Sequence, residues 1–481
     1  NSPSMQANTT RQQLNWSQSA AWALWGVALA GLLYLVGLTV WLGLIGLAFP
    51  YQLDYGEGFL LHFVREWSQG RPIYKVAEGY PYILSNYPPV DLILALALTP
   101  VLGISYAAGR IWTLVAIGVM AVILAAWVWR AQRKWLPSVA VALLFAGSSY
   151  VYDWAPLFRV DLVGLALTFG GLYAVWESVK TNRPRLLWLA SILFVAALYT
   201  KQSFVFAPAS ALIYLFFFVD RWRAVKMGVG MALLGGGLFL LIDAFTGGGF
   251  RFGLIASNVN PFLWPEFFKQ QADFFGTYAI LALMAAWYLL EQLATDRSMP
   301  FLERIGLEEI YLLFALGSLA LAGKAGAWEN YFFEALAALI LCSGLLLGKL
   351  VVSPKPALRV VAPVLVLFEV ALMWHTPRTA DRYMRLTRQS NEAMAPILAT
   401  TPDSIASEDM GLLVTSDKVL DYCSFQYSQL ARAGRWDQAW ELEQLRAHQF
   451  PLVILERGTR LDVDRYQRFT REFVSELDRN Y

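Results

Sequence analysis

Two carboxylates stand at the start of the segment that follows the first long apolar run. They lie three positions apart in Asp54-Tyr-Gly-Glu57-Gly, so both side chains share one face if the chain turns helical there. Either carboxylate could act as a general base, or the two could bind a divalent cation such as Mg²⁺ or Mn²⁺. The structural alternative is a helix cap, in which Asp54 caps the next helix and Glu57 completes a capping box. The sequence leaves both interpretations open, and it does not decide whether a metal is needed.

Four basic residues lie beside apolar runs, where an unpaired charge is costly. They are Lys324, Lys201, Arg110 and Arg159. We predict that these four bind a phosphate group, because lysine and arginine are the usual phosphate ligands in proteins. Lys324 is preferred because it begins a longer polar stretch, and Arg110 would approach the same phosphate from another side. The alternative for the lysines is snorkelling to lipid head groups, and for the arginines it is an ion pair within the protein.

A third group of polar residues lies near the ends of apolar runs and is predicted to bind substrate. Its members are Asn86, Tyr87, Asp161, Glu329, Asn330, Tyr331 and Glu334. The segment Asn86-Tyr-Pro-Pro89 also has a simpler structural explanation. Proline restricts its own φ and the residue before it, so this segment is expected to be an extended, stiff entry to the next helix.

The residue types exclude several other functions. The chain has 3 histidines and 2 cysteines, too few for a disulfide framework or a structural zinc site of four Cys and His ligands. No histidine has an obvious nucleophile partner in the sequence. The formal charge of +2 over 481 residues provides no basic field for nucleic acid, so we predict no nucleic-acid partner.

The composition is that of a polytopic α-helical membrane protein. Hydrophobic residues make up 57% of the chain and charged residues 15%, with 19 tryptophans. Eleven apolar runs have about the length of a membrane span, and we expect about 11–13 spans in all. The runs are 20–49, 110–129, 137–152, 161–177, 185–199, 203–219, 226–244, 276–290, 309–323, 330–349 and 359–374.

We predict three parts of the chain. Residues 1–19 form a cytoplasmic segment, in which 1–4 precede Met5 and are expected to be foreign to the natural protein. Residues 20–374 form the membrane domain, with an outer loop over 50–109 that carries an interfacial helix. Residues 375–481 form a small soluble α/β domain, because short strand and helix patterns alternate there. Its predicted strands are Ser404–Ser407, Leu412–Thr415 and Leu452–Leu455.

The distribution of Lys and Arg predicts the orientation in the membrane. The short segment 90–104 contains Asp91 and Pro100, and we predict that it enters the bilayer without crossing. The basic segments then all face the cytoplasm, as the positive-inside rule requires. They are Arg130–Lys134, Lys180–Arg185, Arg221–Lys226, Arg297–Arg304 and Lys349–Arg359. Both the polar residues described above and the C-terminal domain fall on the extracytoplasmic side, where we predict a polar chamber.

This organisation resembles the GT-C-type membrane glycosyltransferases. It is most similar to the bacterial branch related to protein O-mannosyltransferases and to the lipid A aminoarabinose transferase. The resemblance extends from Asp54 to the last span. Its local anchors are Asp54-Tyr-Gly-Glu57-Gly, Asn86-Tyr-Pro-Pro89, Thr200-Lys-Gln-Ser203 and Lys324 to Glu334. Many relatives have adjacent Asp and Glu in the first loop, whereas Glu57 here follows Gly56.

The resemblance implies an inverting transfer of sugar from a polyprenyl-phosphate donor to a lipid, glycan or protein acceptor. It places the protein in a bacterial inner membrane with its active site on the extracytoplasmic face. The first-loop acid of the family acts as base, which would be Asp54, with Glu57 orienting it or sharing a cation. The alternative functions are a transporter or a lipid-carrier flippase without transferase activity. A flippase would need the lysines but not the two first-loop acids.

Overall fold

The computed structural model describes residues 3–76, 82–294, 305–420 and 422–481. The predicted fold class is confirmed, since the chain forms a helical membrane domain followed by a small C-terminal domain with little strand. The helices of the membrane domain are α1 (Pro3–Ala48), α2 (Tyr55–Ser68), α3 (Val90–Leu102), α4 (Tyr106–Gln132), α5 (Trp135–Ala146), α6 (Ser149–Trp154), α7 (Val160–Thr181), α8 (Leu186–Leu198), α9 (Phe206–Tyr214), α10 (Arg221–Met231), α11 (Gly237–Phe245), α12 (Gly249–Arg251), α13 (Trp264–Thr277), α14 (Ala279–Ala294), α15 (Leu307–Ser318), α16 (Phe333–Val351) and α17 (Pro356–Leu372).

Each of the eleven apolar runs predicted as spans is mainly helical in the structure. Within the described residues, five helical segments are long and apolar enough to cross a membrane, and α13 and α14 form a sixth candidate bent by 78°. Several predicted spans, including one of these five, contain π-helical or 3₁₀ turns, which lie at 215–219, 232–236 and 319–323. The predicted basic segment Arg297–Arg304 lies outside the described residues.

Helix α3 begins and ends at the same end of the helix bundle. Its first backbone N–H, from Val90, donates to the carbonyl of Tyr199, which lies just beyond the end of α8. Four residues after α3 ends, Tyr106 begins α4 and lies against Gly411 of the C-terminal domain. That residues 90–104 enter the bilayer without crossing it stays a prediction.

Helix α16 forms the centre of the membrane domain. The apolar part of this helix is almost entirely buried, and it packs against α5, α14 and α15. A β-carbon placed on Gly344 would lie 2.2 Å from Cγ1 of Val141, so only glycine allows α16 and α5 to approach this closely. The helices around α16 therefore have fixed positions, which is necessary if their ends are to hold a site.

The C-terminal domain is more helical than predicted. Its elements are α18 (Arg378–Thr400), β1 (Ala406–Ser407), α19 (Met410–Thr415), α20 (Ser424–Arg432), α21 (Ala439–Arg446), β2 (Val453–Ile454), α22 (Arg457–Leu461), α23 (Val463–Tyr466) and α24 (Arg471–Asn480). The two short strands pair in parallel. The predicted strand Leu412–Thr415 is wrong, because these residues belong to α19. Asp409 caps that helix by accepting from Leu412 N at 2.8 Å.

The predicted interfacial helix is α2, but its residues 56–66 are all buried. It packs on α3 and on α19 of the C-terminal domain. Arg65 of α2 donates to the carbonyls of Val414 at 3.5 Å and Lys418 at 3.0 Å. The C-terminal domain therefore lies at the same end of the bundle as Asp54, and α2 is the element between them.

Glu441 makes the stability of the C-terminal domain dependent on pH. It is 1% exposed, and among the described residues no basic side chain pairs with it. Burial raises its pKa to about 8, against a smaller opposing effect of the Tyr422 hydroxyl. The folded state therefore holds this proton more tightly than the unfolded state, so stability falls as the pH rises from about 4.5 towards 8.

We accordingly expect Glu441→Gln to stabilise the protein at alkaline pH and to change little at pH 5. The effect at pH 8 should be on the order of 1 kcal/mol or more, since each unit of pKa shift corresponds to about 1.4 kcal/mol. Thermal unfolding of both proteins in detergent between pH 5 and 9 measures this. Parallel pH profiles for the two proteins would mean that Glu441 is not the titrating group.

Candidate active site

The two first-loop carboxylates form the capping box that the sequence allowed. Asp54 is the N-cap of α2 and accepts from Gly56 N at 2.9 Å. Glu57 reaches back and accepts from the backbone N–H groups of Leu53 at 2.6 Å and Asp54 at 3.3 Å. The capping box fixes the backbone of the loop and leaves the two carboxylates in very different environments.

Glu57 is fully buried and has no free coordination capacity. Its two oxygens accept from Arg110 at 2.9 Å each and from Phe158 N at 2.6 Å, in addition to the two cap N–H groups. Arg110 is also 0% exposed, and its remaining N–H groups donate to the carbonyls of Gly46, Phe49 and Tyr51.

This geometry argues against two predicted roles. Arg110 has no N–H group left for a donor phosphate, so its predicted place beside Lys324 at the phosphate is not compatible with the structure. Nor do Asp54 and Glu57 fit a shared Mg²⁺ or Mn²⁺ site, because N–H donors already occupy both oxygens of Glu57. Among the described residues, no three His, Cys, Asp or Glu side chains are grouped as metal ligands.

Asp54, in contrast, is accessible. Its side chain is 33% exposed, and it pairs with the guanidinium of Arg159 at 2.5 Å. Arg159 lies 3.8 Å from Asp161, whose other oxygen accepts from Lys201 at 2.6 Å. The result is a chain of alternating charges that runs from Asp54 through Arg159 and Asp161 to Lys201.

Three of the other predicted residues join this charge chain. Asn330 donates to Asp161 at 2.9 Å, and the Lys201 ammonium lies 4.0 Å from the ring centre of Tyr331. The Tyr87 hydroxyl accepts from Arg159 at 3.4 Å. The structure therefore brings together residues from the first loop, the start of α7, the segment after α8 and the 3₁₀ turn before α16.

The remaining predicted substrate residues lie next to the chain of charges without joining it. The backbone carbonyl of Asn86 accepts from Gln202 at 3.4 Å. Glu329 accepts from Trp154 at 3.4 Å and borders a polar pocket between α13 and the start of α16. Glu334 is buried and accepts from Tyr311 at 3.2 Å, which gives it a structural contact within the bundle.

Lys324 has a different environment from Lys201. It lies after a 3₁₀ turn, where its backbone pairs with Phe262, and its side chain is half-buried. No carboxylate lies within ion-pair distance of its ammonium in the part of the chain that the structure describes. The loop continues through Gly326, where an added β-carbon would lie 3.1 Å from Cζ of Phe425. The loop that carries Lys324 therefore approaches Phe425 of the C-terminal domain, whose ring also contacts Tyr55.

Trp154 contacts two of the predicted site residues, Arg159 and Glu329, and was not predicted from the sequence. Its ring lies under the Arg159 guanidinium at 5.2 Å, and its indole N–H donates to Glu329. The local signal was an aromatic residue five positions before Arg159, near the end of an apolar run. Aromatic residues are common at such ends, so this signal alone did not distinguish Trp154 from the other tryptophans.

The opposite end of the bundle is rich in basic residues. Arg130 pairs with Glu177, Arg223 donates to Asn182, and Lys349 lies 3.2 Å from Glu291. The four predicted basic segments that the structure describes therefore lie at the end away from Asp54. This segregation matches the charge pattern from which the orientation was predicted.

Comparison with solved structures identifies the fold. ArnT from Cupriavidus metallidurans bound to undecaprenyl phosphate aligns with a TM-score of 0.59 at 12% identity, covering 86% of this chain and 90% of that one. The apo state of the same protein gives 0.57 at 12% identity, covering 87% and 91%. The oligosaccharyltransferase of Archaeoglobus fulgidus gives a lower TM-score of 0.46, at 14% identity, covering 78% of this chain and 57% of that one. No family model and no curated protein sequence matches the chain.

The likeness to ArnT covers more than four fifths of both chains. The protein therefore has the GT-C fold, and the resemblance predicted from the sequence is confirmed at the level of the fold.

Proposed function

We propose that this protein is an inverting membrane glycosyltransferase that moves a sugar from a polyprenyl-phosphate donor to an acceptor. The observation that carries the proposal is the accessible Asp54 carboxylate, held by Arg159 at one end of a chain of alternating charges. A base and cationic donors then lie side by side on a GT-C fold. A flippase would have no use for such a base, and this distinguishes it from the proposed transferase.

Asp54 is the proposed general base. The Asp54 carboxylate accepts the proton of an acceptor hydroxyl. The oxygen of that hydroxyl attacks the anomeric carbon of the donor sugar as the bond to the polyprenyl phosphate breaks, which inverts the configuration. Positioned general bases contribute roughly 10²–10⁴-fold to rate. The cap bond from Gly56 and the ion pair with Arg159 hold the carboxylate ready for this role.

The donor side requires positive charge more than it requires an acid. A polyprenyl phosphate departs as an anion, so cationic donors stabilise the charge that develops on it. The ion pairs of Arg159 and Lys201 with Asp54 and Asp161 balance those four charges. Lys324 supplies the surplus positive charge, with Arg159 and Lys201 as further ligands. The solved ArnT complex holds undecaprenyl phosphate, which makes this lipid the first donor lipid to test.

We also propose that the Asp54 end of the bundle is extracytoplasmic. The basic groups at the opposite end support this orientation through the positive-inside rule. Labelling of single cysteines introduced at residues 130–134 tests it in intact cells. A membrane-impermeant reagent should not reach them from outside, and labelling from outside would reverse the orientation.

Lys324→Ala is expected to weaken the binding of undecaprenyl phosphate by about 1–3 kcal/mol, the scale of a lost charge-assisted hydrogen bond. Lys324→Arg should recover only part of this, because a planar guanidinium does not replace a compact ammonium. Lys355→Ala, which removes an exposed lysine at the opposite end, is the matched control and should bind normally.

Titration of undecaprenyl phosphate into each purified variant in detergent measures these affinities. Unchanged affinity in Lys324→Ala would make that lysine structural and leave the phosphate to Lys201 and Arg159. Failure of the wild-type protein to bind undecaprenyl phosphate more tightly than a neutral polyprenol would contradict the proposed donor class.

A further inference from the structure

The segment that carries Asp54 is held from two sides. From the membrane domain, Glu57 and Arg110 fix its backbone. From the C-terminal domain, Gly411 N donates to the Gln52 side chain at 3.2 Å, and the Tyr383 hydroxyl donates to the carbonyl of Leu53 at 3.1 Å. The residues on either side of the proposed base are thus tied to a domain far away in sequence.

A further contact with the C-terminal domain involves Tyr55, the residue that follows Asp54. The Arg468 guanidinium lies 4.0 Å from the centre of the Tyr55 ring, a short cation–π distance. The Tyr55 hydroxyl lies 3.3 Å from Ser424 Oγ, and its ring also meets Phe425 edge-on. Tyr55 therefore inserts into the C-terminal domain.

Arg468 is itself held rigidly on its own domain. It pairs with Glu408, whose side chain is fully buried, and it lies 3.1 Å from Glu456. Glu408 also accepts from Thr459 Oγ1 at 2.6 Å and from Glu456 N at 2.9 Å. A cation fixed by this many bonds presents a rigid surface to the Tyr55 ring.

The two domains also approach at backbone distance beside this contact. A β-carbon on Gly58 would lie 2.4 Å from Gly411 N, so glycine is required where α2 crosses the start of α19. The contacts at Gln52, Leu53, Tyr55 and Gly58 fall on both sides of Asp54. No contact of this set uses the Asp54 carboxylate, which stays available for substrate.

We propose that the C-terminal domain positions the Asp54 carboxylate, with Arg468 as a positioning residue that acts through the Tyr55 ring. This inference rests on the proposed function, in which Asp54 is the base. It assigns the C-terminal domain a part in catalysis without contact to the substrate. A displacement of about 1 Å at a reacting group can lower a rate by about 10²-fold, so loss of the contact should slow transfer strongly.

Matched substitutions test the contact. Tyr55→Leu removes the ring, whereas Tyr55→Phe keeps it and loses only the hydroxyl. Arg468→Gln removes the cation that lies over the ring. Arg460→Ala removes an exposed arginine of the same domain, which pairs only with Asp478 in the part of the chain that the structure describes, and serves as the control.

We expect Tyr55→Leu and Arg468→Gln to lower kcat by about 10²-fold while KM and undecaprenyl phosphate affinity stay near wild type. Tyr55→Phe should restore most of the rate, and Arg460→Ala should match wild type. Hydrogen exchange of the amides over residues 52–57 should be faster in Tyr55→Leu and Arg468→Gln only, which reports the segment directly and without any substrate.

The outcomes separate the two proposals. Unchanged exchange over 52–57 in both disruptive variants would overturn the positioning role whatever the activity. If Arg468→Gln lowers the rate, the lipid affinity and the thermal stability together, Arg468 is needed for folding. That result would also overturn the positioning role. A wild-type protein that neither binds undecaprenyl phosphate nor transfers sugar would contradict the proposed function, while faster exchange in the variants would still report the contact.

Discussion

Asp54→Asn is expected to abolish sugar transfer while leaving the protein folded and able to bind its donor lipid. The amide cannot accept a proton from the acceptor hydroxyl, so the contribution of the base, roughly 10²–10⁴-fold, is lost. Asparagine is also a good N-cap, so the start of α2 should survive. The residual rate is measured with purified protein, and folding is monitored through thermal unfolding in the same detergent.

Asp243→Asn is the control for this substitution. Asp243 lies near the same end of the bundle, where it accepts from Arg251 N at 2.9 Å and takes no part in the charge chain. It should transfer at a rate close to wild type. Near-normal transfer by Asp54→Asn would move the base elsewhere. Glu57 could not replace Asp54 without rearrangement, because its oxygens are fully occupied.

Glu57→Ala is expected to have the largest effect on stability. It leaves the buried Arg110 guanidinium without a counter-charge, and removal of one partner from a buried ion pair typically costs about 3–5 kcal/mol. The N–H groups of Leu53 and Phe158 also lose their acceptor. We expect a marked fall in the unfolding temperature or little folded protein.

The ion pair between Glu57 and Arg110 can be tested further by removing both charges. Arg110→Met in the Glu57→Gln background should recover part of the stability lost in either single variant, because no unpaired charge then remains buried. A stable Glu57→Ala protein that has lost only its activity would contradict the structural role. That result would favour the alternative in which Glu57 takes part in catalysis or binds a cation.

Much of the site could be predicted from sequence for a physical reason. Charged residues are costly at membrane depth, so Asp161 and Lys201 stand out beside apolar runs. The positive-inside rule then assigns them to the same side as Asp54. This reasoning brings candidate residues to one end of the bundle before any contact is known.

The same reasoning could not assign partners. Arg110 looked like a phosphate ligand because burial and a counter-charge 53 positions away are invisible in its local sequence. Only the fold shows that Arg110 forms an ion pair with Glu57. The error over Leu412–Thr415 is similar, since a short run of three apolar residues and a threonine fits a buried strand or one helical turn equally well. The contact of Arg468 with Tyr55 depends on how two domains pack, which no local pattern encodes.

The central claim is tested most directly by following a labelled sugar. Purified wild-type protein and Asp54→Asn are incubated with a panel of radiolabelled polyprenyl-phosphate sugars and with bacterial envelope lipids, glycans and proteins as acceptors. We predict that wild-type protein moves label from at least one donor to an acceptor with inverted anomeric configuration, and that Asp54→Asn does not. Label that stays on every polyprenyl carrier with the wild-type protein, or that leaves equally fast with Asp54→Asn, would contradict the account.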